Sequence, residues 1–160
     1  MSPRLLLLQA RTETDPMAAH ERSCFAATLG LAEGQIETHN ILHGSPDPGR
    51  LDRCDGLLIG GSGDFSVTGS EPFLHTFFDF LARTVMADGF PTFASCFGFQ
   101  GLVVAGGGEV ETDASRSEVG TFDLEVVEAG RDDPLMRPLA PTFRAQLGHK
   151  DHATRLPSGV

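Results

Sequence analysis

An α/β domain built on a parallel sheet is predicted by two features of this 160-residue sequence. Short apolar runs, Leu5 to Leu8, Leu57 to Ile59 and Thr92 to Ser95, alternate with segments of helical pattern. Strands covered on both faces by helices read as continuous apolar runs rather than alternating ones. Helix-opening pairs, Asp15-Pro16 and Glu71-Pro72, stand between those runs. Proline suits the first helical position because its missing N–H would be unpaired there in any case. Three layers are expected, with helices on both faces of the sheet. After Gly108 the pattern changes to half-exposed strands, which predicts an antiparallel extension in the C-terminal third.

Taken in order, Pro3 to Gln9 is a first, buried strand. A helix capped by Asp15 runs to Leu29, with Met17, Phe25, Ala26 and Leu29 on its apolar face, and Gly30 stops it. Gln35 to Ile41 is a second strand. "HGSPDPGRLDRC" is a loop, dense in Gly, Pro and Asp. Leu57 to Ile59 is a third strand, ending in Gly60-Gly61-Ser62-Gly63-Asp64. Glu71-Pro72 opens a helix reaching Ala87, with Leu74, Phe77, Phe78 and Leu81 on one side. Thr92 to Ser95 is a fourth strand, and Gln100 to Ala105 a short helix closed by three glycines. Glu109 to Thr112, Gly120 to Glu128 and Phe143 to Leu147 read as further strands. The last of these strands precedes "GHKDHATRLPSGV".

Composition narrows the function. Twelve Lys and Arg against 22 Asp and Glu give a net charge of −10, without a basic block. Nucleic acid and anionic membrane surfaces are therefore not expected partners. Leu5 to Leu8 is too short to span a bilayer and, with polar Gln9 and Arg11 after it, makes a poor signal peptide. Three widely spaced cysteines, Cys24, Cys54 and Cys96, contain no CxxC pair. That argues against a disulfide framework or a zinc site and for a reducing, cytoplasmic setting. No metal or cofactor is expected. Cys24 and Cys54 read as structural, buried cysteines.

Cys96 differs. It stands between a strand and a helix, where ligands of parallel α/β sheets bind. A residue in such a tight turn projects from the sheet, and Gly98 permits close backbone approach. The N-terminus of the next helix favours thiolate and offers N–H groups to an oxyanion. This is nucleophile-elbow logic with Cys in place of Ser.

The segment "GFPTFASCFGFQ" resembles the nucleophile motif of class I glutamine amidotransferases, G-x-P-x-x-G-x-C-x-G-x-Q, through Gly89, Pro91, Cys96, Gly98 and Gln100. Ala94 stands where the family usually has Gly. "CDGLLIGGSGD" resembles the family's D-G-x-x-x-x-G-G-P-G segment, with Ser62 in place of the common Pro. "AQLGHKDHATRLPSG" resembles its H-x-D-x-V-x-x-L-P stretch, most like relatives of the glutaminase half of GMP synthase; His152 and Ala153 depart from the usual acid and Val. The resemblance implies a flavodoxin-like fold and a Cys96 nucleophile. It implies oxyanion donors at the Gly61 and Phe97 N–H groups. It also implies a glutamine site involving Gly63, Gln100, Lys150 and Asp151. It implies glutamine, or a γ-glutamyl amide, as substrate, hydrolysed through a Cys96 thioester to release ammonia, and a synthetase partner as acceptor.

The family's His-x-Glu pair, from a Q-F-H-P-E type segment, is absent, since no H-x-E occurs anywhere. Residues 1–160 are thus expected to form one amidotransferase-like domain lacking its C-terminal segment, with impaired turnover. His149 and Asp151 form an H-x-D pair that could substitute as base and orienter, or simply sit at the pocket rim. His20, His39, His43 and His75 show no metal-ligand spacing. Two other readings stand beside the amide hydrolase. One is a non-catalytic domain that binds a partner or ligand. The other is a hydrolase of the related intracellular protease and deglycase families, although those follow the Cys with His rather than Phe97.

Overall fold

A computed structural model describes residues 2–158. The chain divides into two compact units, one of residues 1–112 with 151–160 and one of Asp113–Lys150.

The first unit holds a four-stranded parallel sheet of β1 (Leu5–Gln9), β2 (Ile36–Asn40), β3 (Gly56–Ile59) and β4 (Thr92–Ala94), in the order β2-β1-β3-β4. Leu5 to Leu8 pair with Gly56 to Ile59 on one side, and Leu5 to Gln9 with Ile36 to Asn40 on the other. Alternation along the strands divides the core. Leu6, Leu8, Leu57 and Ile59 face a cluster with Leu74, Phe77, Leu81 and Phe97. Those residues belong to α2 (Pro72–Phe80), the π-helical turn Leu81–Met86 and α3 (Phe97–Ala105). Leu7 and Leu58 face Ala26 of α1 (Met17–Leu29) and Ile36. Helices thus cover both faces, as the apolar runs predict.

Local signals act at the expected positions, with adjustments. The Asp15 carboxylate accepts the Met17 N–H at 2.8 Å. Gly30 ends α1 at φ 66°, a left-handed cap that suits glycine. Met17 and Leu29, expected on the buried face of α1, are exposed, because the helix packs through Ala26 and Phe25. Cys24, expected buried, is also exposed on that helix; Cys54 is half-buried against the larger cluster. The helix α3 begins at Phe97, three residues before its expected start. Two glycines that lower helix propensity, Gly98 and Gly101, lie in its first turns and mask them.

Phe143 to Leu147, expected as the last strand, is followed by one more. This is β8 (Asp151–Arg155), which pairs antiparallel with β5 (Glu109–Thr112), Thr112 standing opposite Asp151. Its partner therefore lies 39 positions earlier in the chain.

The second unit is built on an antiparallel ribbon of β6 (Glu118–Glu125) and β7 (Thr142–His149), joined through the short helix α4 (Glu128–Arg131). Gly120, Phe122 and Leu124 pair with Leu147, Ala145 and Phe143 on its half-buried face. The ribbon ends at Glu125 rather than Glu128. Beyond Thr142 the facing residue is Pro141, which accepts the Val126 N–H but has no N–H to return.

Candidate active site

The turn from β4 into α3 carries Cys96 at φ 49° and ψ −109°, the only non-glycine residue with positive φ among the described residues. Such a backbone costs on the order of 1–3 kcal/mol and is held by its surroundings. Here the hold is visible. The Ser95 N–H donates to the Ile59 carbonyl at 2.9 Å, and the Gln100 N–H to the Cys96 carbonyl at 2.9 Å. The Gly98 N–H is shared between the Ser95 carbonyl at 2.9 Å and the Gly60 carbonyl at 3.2 Å. A Cβ on Gly98 would stand 2.7 Å from the Ile59 carbonyl oxygen, so only glycine lets α3 approach β3 this closely.

Burial pushes the Cys96 thiol above its ordinary pKa, aided by the charge of Asp151; a hydrogen bond from the Phe97 N–H and the cation of Arg11 pull it down. This corrects the expectation that the helix start would favour thiolate: desolvation of the half-buried sulfur is the larger effect. Phe97 itself is buried, its ring stacked on Phe77 at 5.7 Å.

Gly61 lies beside the elbow, where an added Cβ would be 3.7 Å from the Cys96 Cβ. Its N–H donates to Glu21 Oε1 at 3.0 Å. Gly63 is exposed in the same loop. Gln100 is buried, and its side-chain Nε2 donates to the Asp151 carbonyl at 2.9 Å. Asp151 is only 6% exposed; its carboxylate accepts the hydroxyls of Ser66 and Thr112, both at 2.6 Å. Lys150 is exposed and belongs to the other unit, as does His149. His149 Nε2 stands 3.2 Å from Glu118, and its Nδ1 is buried without a hydrogen-bond partner. His149 and Asp151 therefore do not share one strand: the first ends β7 and the second opens β8.

Sequence reasoning missed a polar cluster at the carboxyl end of β1. Gln9 and Arg11 are buried. The Gln9 Nε2 donates to Glu21 Oε2 at 2.9 Å, and Arg11 pairs with Glu21 and Asp15, both at 3.1 Å. The available signal was Gln9 as the last residue of a buried strand and Arg11 two positions on, at the carboxyl end of the sheet where sites form. Among the described residues no group of three His, Cys, Asp or Glu side chains could hold a metal ion, and no helix is long and apolar enough to cross a membrane.

No family model matches the chain. It is 29% identical to a gamma-glutamyl-L-1-hydroxyisopropylamide hydrolase from a Pseudomonas species, over 98% of this chain and 57% of that protein. It is 36% identical to a glutamine-hydrolysing GMP synthase from Thermosipho melanesiensis, over 50% of this chain and 15% of that protein. The chain thus spans little more than half of the first relative and a small part of the second. A glutamine amidotransferase of Thermotoga maritima superposes with a TM-score of 0.73 at 20% identity, covering 98% of this chain and 64% of that one. At that identity the likeness is one of fold: the chain has the fold of the class I glutamine amidotransferases.

Proposed function

We propose that this chain carries the nucleophile-bearing part of a glutamine-amidotransferase-like hydrolase acting on the side-chain amide of glutamine or on a γ-glutamyl amide. The observation that carries the reading is the Cys96 backbone, φ 49° at the start of α3 with the Phe97 N–H on its sulfur. The Cys96 sulfur attacks the amide carbon, the C–N bond breaks, and ammonia or an amine leaves with the proton that the thiol gives up. Water then hydrolyses the thioester to glutamate. The Phe97 and Gly61 N–H groups would stabilise the oxyanion, and Gly63, Gln100 and Asp151 would shape the substrate site. Released ammonia would serve a synthetase partner. The hydrolase relative favours a γ-glutamyl alkylamide as the alternative substrate.

A chloroketone analogue of glutamine tests the site, because Cys96 displaces its chloride without needing a proton for ammonia. Labelling of Cys96 that free glutamine slows is expected, with Cys24 labelling indifferent to glutamine. No protection of Cys96, or equal protection of both thiols, would overturn the assignment. Glutamate release by these 160 residues should stay near background, since general acid–base help is worth about 10²–10⁴ in rate and no H-x-E pair is present. Robust turnover lost in His149→Ala would instead favour the H-x-D reading.

A further inference from the structure

We propose that Glu21 is a positioning residue that sets the direction of the Gly61 N–H and must release it before that group can meet an oxyanion. The inference rests on the amide-hydrolase reading of Cys96. The peptide between Gly60 and Gly61 is tied at both ends. Its N–H donates to Glu21 Oε1 at 3.0 Å, and its carbonyl accepts the Gly98 N–H at 3.2 Å. Glu21 is itself fixed: Arg11 holds Oε1 at 3.1 Å and Gln9 holds Oε2 at 2.9 Å. The carboxylate lies so close to the loop that a Cβ on Gly60 would collide with it, so glycine there is what admits it.

The same two glycines let the peptide turn. Reversing it rotates ψ of Gly60 and φ of Gly61, both free of Cβ hindrance. Gly98 would not be left unpaired, because its N–H also donates to the Ser95 carbonyl at 2.9 Å. The bond that resists is the charge-assisted one to Glu21. An oxyanion forming next to Cys96 competes with that carboxylate for one donor.

Acylation by the γ-(4-nitrophenyl) ester of glutamate reads this competition. The Cys96 sulfur bonds to the carbonyl carbon of the side-chain ester, the C–O bond breaks, nitrophenolate leaves with the electron pair, and the thiol proton goes to solvent. The burst of nitrophenolate is compared in the unaltered chain, Glu21→Ala and Glu21→Gln, each divided by its rate of Cys96 alkylation with iodoacetamide, which needs no oxyanion donor. One donor is worth roughly 10²–10³ in rate, so Glu21→Ala should raise the normalised burst about tenfold or more. Glu21→Gln keeps the size but is a weaker acceptor, and should fall between. It carries the test if the alanine variant does not fold. A burst present in all chains but unchanged or slower in the variants overturns the role of Glu21 and leaves the hydrolase reading intact. No burst in any chain overturns both.

Discussion

Cys96 combines a strained position at a strand-to-helix turn with a thiol that burial keeps protonated. Its backbone is strained and its sulfur meets an N–H, yet burial raises the thiol pKa. At neutral pH it holds less thiolate than an ordinary cysteine. Exposed Cys24 should therefore react first with iodoacetamide, and the Cys96 rate should rise as pH climbs past the usual thiol range. Arg11→Gln removes the cation that lowers this pKa, so the Cys96 midpoint should move to still higher pH. Peptide mass mapping across a pH series checks both. A Cys96 rate that leads at pH 7 would contradict the burial argument. The position of Cys96 was legible from its spacing with Pro91, Gly98 and Gln100. Its protonation was not, because desolvation depends on what the fold packs around the sulfur.

At the scale of elements, the approach of α3 to β3 positions the elbow. Gly98→Ala would place a methyl 2.7 Å from both the Cβ and the carbonyl oxygen of Ile59, neither of which is a flexible tip. Overpacking of this kind costs about 1–3 kcal/mol. A lowered midpoint of urea unfolding, with slower Cys96 labelling by the chloroketone, is expected; unchanged stability would mean the elements separate freely. The strands β1 and β3 of the parallel sheet were legible because their apolar runs report burial on both faces. The strand β8 was not. Its His, Asp and Arg content carries no apolar period, and it exists through pairing with β5 and through the Asp151 hydrogen bonds.

At the scale of the whole molecule, one replacement tests whether the first compact unit folds without the second. Thr112 and Asp151 lie opposite each other at the end of the β5–β8 pair. Replacing residues 113–150 with Asn-Gly should close a two-residue hairpin there, since that pair favours the turn twist such hairpins need. The shortened chain should retain a cooperative thermal transition and a Cys96 that iodoacetamide alkylates at high pH. Loss of the transition would show that the first unit does not fold alone.

Sequence by itself determined the α/β class, the helix stop at Gly30, the Asp15-Pro16 start of α1 to within one residue, and the location of the Cys96 turn. These are local matters of backbone preference, burial pattern and spacing. Tertiary structure alone decided that Glu21 takes the Gly61 N–H, that Gln100 holds the Asp151 carbonyl, and that Cys24 is exposed. Those outcomes join residues as far as 51 positions apart. Hydrogen bonds and burial at that range follow from how strands and helices stack, which no local pattern records.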